Sequence, residues 1–448
     1  MKGRHYMKNE LYHYLVIPSV YRVGAPTDIV IKPLESKYNI AESDNRIVIL
    51  PISALHESDG RLPFDTVTGT VVNGELHFSY TFPVEDEYAM LPLSGEDAIE
   101  VLDVYALNDD LYELRPLKGD THVHSCRSDG HETPAIVAAN YRAAGFDFMA
   151  LTDHKRFAPS AEAIEAYRGV RLGMTQMHGE EVHSPGNYVH IVHFGGNYSV
   201  NKIFLEDEEK FRREVAEIEC EMGDKIPFTN ENDRYIYAST VWCVREIRKA
   251  GGIAIYPHPF WLMRNRSVYY APTYNVPTEM TRQFILNDVF DAFELIGGQS
   301  AHENNYQTQF YYSLKDEYIE KNGKPLTVPV LGASDSHGTV NTGWFNRKFS
   351  VVFAKSRKPE DILGAIMDKK SVAVEVYEDS ENYSVHGQYR LMAYARFLCE
   401  NYFPLTQKLC AVDGALMQEY IMGSADAGKL LDARADVTDN FYKLYFGK

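Results

Sequence analysis

The stretch Pro134–His154, PAIVAANYRAAGFDFMALTDH, reads as one turn of an alternating α/β chain. Pro134–Ala144 has the composition of a helix, and Gly145 is a good C-terminal stop. Phe148–Leu151 (FMAL) is a short apolar run of buried-strand type, and it leads directly into Thr152-Asp153-His154. The alternation continues downstream. A helix is predicted over 240–250, strands over 252–256 and 290–296, a helix around 307–321, and a strand over 327–331. Pro359–Met367 (helix) and Ser371–Val376 (strand) read as the last elements of the set. Strands alternating with helices imply βα units, a parallel sheet, and a barrel.

Upstream, residues 1 to about 115 read as strands, including RIVILPI (46–52) and TGTVVNGELHFSYTF (68–82). In the second, Asn73-Gly74 separates two β-rich runs, a strong hairpin signal. Residues 206–210 (EDEEK) open an amphipathic helix carrying Phe211 and Val215, whose acidic start suits the positive end of a helix dipole. The tail from about 385 is helical and rich in Leu, Met, Ala and Tyr, fitting either a cap on the barrel or a self-association surface. The expected organisation is an N-terminal β-rich, sandwich-like domain (1–116), an α/β barrel (117–378) and a helical C-terminal extension (379–448). No internal repeat and no low-complexity linker is evident.

The chain has 448 residues with 45 basic and 63 acidic side chains, a formal charge of −18. An acidic surface repels phosphate backbones and anionic lipid, so general nucleic-acid or membrane binding is not expected as the main activity. The charge leaves room for a local basic pocket. The five cysteines (Cys126, Cys220, Cys243, Cys399, Cys410) are widely spaced, with no CxxC pair. Free thiols in a reducing compartment are the simpler reading. No stretch has the form of a signal peptide or a membrane span, and a cytoplasmic protein is expected.

Function is carried by where the ionisable residues fall, at the ends of predicted strands. His122 and His124, in Asp120-Thr121-His122-Val123-His124, point the same way along an extended chain and stand about 7 Å apart, a spacing that lets two imidazoles grip one ion. Ser128-Asp129-Gly130 follows. FMAL ends in Asp153-His154. Glu180-Glu181 follows an apolar segment, and YVHIVHFG (188–195) contains His190 and His193. The strand 252–256 ends in Pro257-His258-Pro259, and the strand ending at Leu331 runs into Ser334-Asp335-Ser336-His337-Gly338. Six strand ends thus bring His, Asp or Glu to one face of a barrel, where barrel active sites are built. Taken singly, each motif has a plain structural reading, such as a helix cap or a turn residue. Together they point to a metal centre. Glu180 against Glu181, and His190 against His193, stay open on spacing alone. His131, His178, His183 and His302 read as structural or surface residues, and Cys126 as loop packing.

The motifs HVHSCRSDG (122–130), TDH (152–154), GEE (179–181), His190, PHP (257–259) and SDSHG (334–338) resemble the PHP (polymerase and histidinol phosphatase) superfamily of metal-dependent hydrolases. The likeness covers about residues 118–375, and a β-domain before GDTHVHS is most similar to its CehA/McbA-type branch, whose named members cleave a carbamate ester. The resemblance implies a distorted (β/α)7 TIM-like barrel with two or three divalent ions. Carried across, His122, His124, Glu181 and Asp335 would hold the first ion. Glu181 would bridge to a second, completed by His190 and His258, and Asp129, His154 and His337 would hold a third. The family places its glutamate second after the glycine and its histidine at the start of the run before the next glycine, which favours Glu181 and His190. Glu181 and Asp335 are the expected catalytic residues, with Asp335 also able to accept a proton from the attacking water.

Imidazole and carboxylate donors suit Zn, Mn or Fe. Such ions activate water and neutralise developing negative charge, so an anionic small-molecule substrate is expected. Arg127, Lys155, Arg156 and His193 are the candidate substrate contacts, and an arginine fork suits phosphate. Trp261 and Arg264 belong to a longer loop that can cover the pocket. The leading expectation is a phosphoesterase acting on a small phosphorylated molecule. The alternatives are a carboxylic or carbamate ester hydrolase and a non-catalytic metal-binding module. A homo-oligomer is compatible with the helical tail.

Overall fold

The computed structural model describes residues 13–42, 45–56, 60, 62–94, 97–340, 343–377 and 382–448. Residues 1–12 of the expected N-terminal domain, and the expected boundary at 378–379, lie outside the described residues. The chain divides into two compact units, Met1–Arg115 with Ala393–Leu409 and Ala435–Lys448, and Pro116–Met392 with Cys410–Arg434. Among the described residues no helix is long and apolar enough to cross a membrane, and none of the five cysteines is in a disulfide.

The first unit contains two sheets. One has four strands in the order Tyr14–Ile17, Pro26–Pro33, Glu75–Thr81, Thr70–Val72. The other runs Val20–Arg22, Leu102–Leu107, Asp86–Ser94, Arg46–Pro51, Asp65–Thr68, with Asp97–Ala98 on Asp86–Ser94. Thr70–Val72 and Glu75–Thr81 pair antiparallel with Val72 opposite Glu75, so Asn73-Gly74 is the hairpin turn its sequence predicts. Alternate residues of both sheets (Ile29, Ile31, Leu76 and Phe78; Ile47, Ile49, Met90 and Val104) meet in one apolar core.

The second unit is α/β. One sheet runs Thr175–Met177, Phe148–Ala150, Arg115–Asp120, Lys348–Ala354, Ser371–Val376, Tyr383–His386. The other runs Gly179–Val182, Ile191–Phe194, Ile253–Tyr256, Ala292–Ile296, Val330–Gly332. Both feed a common buried cluster that includes Leu117, Phe148, Val192, Ile255, Ala292, Leu331 and Val352. They also meet at two isolated bridges, Val123 with Ser336 and His154 with Glu181. The sheets are mixed rather than all parallel: Gly179–Val182, Ile191–Phe194 and Ile253–Tyr256 pair antiparallel in series, as do the last three strands of the first sheet.

Helix and strand limits moved where end signals were missed. The helix expected from Thr240 begins at Glu231, because the Asn230 side chain accepts from the Asp233 N–H and caps it. The helix expected over 307–321 is two, Ala301–Ser313 and Lys315–Asn322, the first started by a Ser300/Glu303 capping box. The helix with the acidic start is Glu208–Met222, with Phe211, Val215 and Ile218 buried. The C-terminal extension is not one separate body. Tyr394 and Phe397 pack at 5.0 and 5.3 Å from the Tyr105 ring in the first unit, whereas Asp413 pairs with the fully buried Arg142 in the second. A helical period shows that a face must be covered, but not by what.

Candidate metal centre

Seven of the nine residues proposed from sequence to bind metal form one cluster, centred on the Glu181 carboxylate. Glu181 lies in the strand Gly179–Val182 and is fully buried. Its Oε2 is 2.6 Å from His154 Nδ1, 3.5 Å from His122 Nε2 and 3.6 Å from His124 Nε2. Its Oε1 is 2.8 Å from His190 Nδ1 and 3.4 Å from His258 Nε2. Asp335 Oδ1 lies 2.9 Å from His124 Nε2 and 3.4 Å from His122 Nε2. The remaining two, Asp129 and His337, form the outer edge: Asp129 is 3.2 Å from His337 Nε2 and 3.4 Å from His154 Nε2.

Topology explains the convergence. His122 and His124 follow Arg115–Asp120, His154 follows Phe148–Ala150, His258 follows Ile253–Tyr256, and Asp335 follows Val330–Gly332. His190 differs from expectation, since it precedes its strand. Ile191–Phe194 runs antiparallel to Ile253–Tyr256, so its beginning lies at the end where its neighbour finishes. The backbone is strained at this rim. His258 has φ 29° and Asp335 φ 49°, both in the left-handed region that side chains avoid. Gly298 permits the close approach of the Asp335 loop, because a Cβ there would lie 2.2 Å from Asp335 Cβ.

Several buried residues hold the cluster in place. Glu294 Oε2 accepts from His122 Nδ1 at 2.9 Å, which turns Nε2 towards Glu181 and Asp335. Asp120 accepts from the backbone N–H groups of His122 (3.2 Å) and Ser334 (3.1 Å) and from the Tyr141 hydroxyl (3.0 Å), tying two rim loops together. Asp153 accepts from the backbone and hydroxyl of both Ser125 and Ser128, bracing the loop after His124. Burial raises the Asp120 carboxyl to about 6. Burial would also raise Glu181, yet the His190, His122, His154 and His183 imidazoles hold it well below the carboxylate range. Burial lowers His190 to about 4 despite Glu181, leaving a neutral imidazole with a free lone pair at pH 7.

The donors fit divalent cations. His122 Nε2, both His124 ring nitrogens, both Glu181 oxygens, His190 Nδ1 and Asp335 Oδ1 are buried without a hydrogen-bond partner, despite the short approaches above. Buried polar atoms rarely stay unmatched, and lone pairs converging with no hydrogen between them are what a shared cation satisfies. Overlapping groups of three or four His, Asp and Glu donor atoms lie within 4.8 Å of one another, among them His124, Asp129, His154 and His337.

Of the candidate substrate contacts, Lys155 and Arg156 are exposed beside His154. Arg127 is also exposed, but Glu162 engages it through two contacts of 2.8 and 2.6 Å. His193 does not reach the cluster. It is fully buried, 3.3 Å from Glu180, because Glu180 and His193 are opposite partners in the ladder and share the face away from Glu181. Two residues at the cluster were missed. His183, read as structural or surface, sits 3.1 Å from His154 Nδ1 and stacks on His190 at 3.8 Å; its spacing of two from Glu181 was the available signal. Glu294, a carboxylate inside the apolar run AFELI (292–296), was signalled by that placement alone.

No family model matches the chain. A curated relative, the DNA polymerase/3'-5' exonuclease PolX of Bacillus subtilis (strain 168), is 31% identical over 105 residues, 22% of this chain and 18% of that protein. This chain therefore spans only a small part of that relative. Among solved structures, a two-domain protein from Bacteroides vulgatus ATCC 8482 containing a predicted PHP-like metal-dependent phosphoesterase is similar over 62% of this chain and 77% of its own. The identity is 18% and the TM-score 0.38. An amidohydrolase from Chromobacterium violaceum, with bound sulfate and no metal, is similar over 49% of this chain and 87% of its own, at 19% identity and a TM-score of 0.28.

Proposed function

We propose that this chain is a metal-dependent hydrolase of the PHP type, and that its substrate is a small phosphorylated molecule. The observation that carries the reading is the buried Glu181 carboxylate ringed by imidazoles, with Asp335 beside it. In this reading the two sheets of the second unit form the distorted (β/α)7 barrel of that superfamily. His122, His124, Glu181 and Asp335 would hold one ion, His190 and His258 with Glu181 a second, and Asp129, His154 and His337 a third.

Bound divalent ions would supply Lewis acidity to the scissile group and an activated water. The chain's own residues do the rest. Asp335, with its side chain 17% exposed and 2.9 Å from His124, is placed to take a proton. Glu294 and Asp120 fix the donor orientation. Lys155 and Arg156 offer exposed positive charge at the rim for the substrate anion, a role for which Arg127 would first have to leave Glu162. The stretch shared with a 3'-5' exonuclease points to phosphoester chemistry as well, while the charge of −18 disfavours a polynucleotide. The cysteine pattern supports a cytoplasmic setting.

One observation favours the second reading, an ester or carbamate substrate of the CehA/McbA kind. Trp261 stands 5.9 Å from the His258 ring, and exposed Leu262, Met263, Tyr269 and Tyr270 continue from it. Such a surface suits an uncharged aryl group. The test is a screen of aryl phosphates and aryl esters with the Zn-, Mn- and Fe-loaded protein, using His122→Ala as control. Phosphatase activity lost in the control supports the first reading. Turnover of esters alone overturns it in favour of the second, and no turnover by any loaded form overturns both.

A further inference from the structure

We infer that His183 is a further metal donor beside Glu181, an inference that rests on the metallohydrolase reading above. The resemblance to a known superfamily supplies only two imidazoles on that side of Glu181. The structure places a third.

Glu181 and His183 are two residues apart at the end of an extended segment, so their side chains leave the same face. His183 Nε2 lies 3.5 Å from Glu181 Oε1, beside His190 Nδ1 at 2.8 Å and His258 Nε2 at 3.4 Å. Oε2 has its own three imidazoles, His122, His124 and His154, at 2.6–3.6 Å. The carboxylate is thus flanked by three ring nitrogens per oxygen, and removing His183 breaks that balance on one side only. Donor atoms of His183, Glu181 and His154 lie within 4.8 Å of one another, next to the group of Glu181, His190 and His258, and imidazole with carboxylate is a usual donor type for zinc.

His183 is also held where a ligand must be held. Its backbone N–H donates to Asn201 Oδ1 at 3.1 Å. Asn201 is fully buried, and its Nδ2 donates to the Glu181 carbonyl at 3.0 Å and to Glu180 Oε2 at 2.9 Å. The ring stacks on His190 with centroids 3.8 Å apart, and its side chain is 17% exposed. The contact of His183 Nε2 with His154 Nδ1 at 3.1 Å competes for the same lone pair. The Glu181 carboxylate lies 2.6 Å from His154 Nδ1, so His154 keeps a charged neighbour when His183 turns its lone pair to a cation. The nitrogen-rich set implies that this position prefers Zn or Fe to Mn.

The test uses the full chain with His183→Ala, His183→Gln and His190→Ala, each checked for native circular dichroism and melting. Zn and Co(II) are loaded, excess ion is removed, and the ratio of metal to protein and the Co(II) visible spectrum are recorded. The expected result is affinity weaker by ~10-fold or more for one ion, with a changed Co(II) spectrum, in both His183 variants, and recovery of the spectrum of His183→Ala with added imidazole. Wild-type metal content and an unchanged spectrum in a folded His183→Gln protein would overturn the assignment. If His190→Ala loses the ion while the His183 variants keep it, the His183 assignment alone fails. If His190→Ala keeps it too, the metal-centre reading itself fails.

Discussion

Glu180 and Glu181 are adjacent in one strand and serve opposite faces of it. Glu181 faces the imidazole cluster. Glu180 is buried on the other side, where Ser199 Oγ (2.7 Å), Asn201 Nδ2 (2.9 Å) and the Val200 backbone N–H donate to it and His193 lies at 3.3 Å. The pair predicts two separable phenotypes. Glu181→Gln removes metal binding while the fold survives. Glu180→Gln keeps the metal and costs about 1–3 kcal/mol of stability, because the amide cannot accept from all of these donors. Metal analysis alongside chemical unfolding of the two variants checks this; equal metal loss in both would contradict it.

Glu294 acts through His122. With its Oε2 2.9 Å from His122 Nδ1, it selects the ring orientation that presents Nε2 to the cluster. Glu294→Ala is expected to weaken divalent-ion affinity ~10–100-fold with native circular dichroism retained. Isothermal titration of Zn into the metal-free variant measures it.

Arg142 and Asp413 form a buried pair at 2.6 Å within the second unit, with Arg142 also donating to the Gly173 carbonyl at 2.9 Å. Asp413→Asn leaves a buried guanidinium short of its counter-charge and should cost about 3–5 kcal/mol. Urea unfolding reports the loss. A change below about 1 kcal/mol would mean that Arg142 is compensated elsewhere.

Lys348 gives a pH signature. Its ammonium is buried, donates to the Gly297 carbonyl at 2.9 Å, lies 3.7 Å from Glu375 and sits over the Trp344 ring at 3.8 Å. Burial lowers it from 10.5 to about 8, with Glu375 opposing. The charged form is therefore the one the fold disfavours. Below pH 8 the cost is present in full. Between pH 8 and 10.5 the unfolded chain holds the proton that the folded chain has released, so this residue's contribution to stability rises with pH. The stability of the wild type minus that of Lys348→Met should increase across that window in urea titrations. Parallel curves would show that Lys348 does not titrate there.

Much of the site was legible in the order of residues, for local reasons. A period of two places His122 with His124, and His or Asp directly after an apolar strand lies at the rim of a sheet. Glu294 and His183 obeyed the same rules, but a lone glutamate in a strand and a lone histidine two residues past a glutamate have bland readings that nothing nearby excludes. His190 reads as part of a strand-like run over 188–195, whereas the strand is Ile191–Phe194 and His190 precedes it. It reaches the cluster because its strand is reversed and begins there.

The sequence by itself determined the α/β class of the second unit, the hairpin at Asn73-Gly74 and the donor types at the rim, since each depends on periodicity or turn chemistry within a few residues. Spacing left Glu180 against Glu181 and His190 against His193 open, and the resemblance favoured Glu181 and His190; tertiary structure brings those two together, places His183 beside Glu181, and divides the C-terminal helices between two units. Those outcomes depend on which strand pairs with which, and in what direction. Pairing between distant segments is set by burial of the whole apolar surface at once, a quantity no local stretch contains.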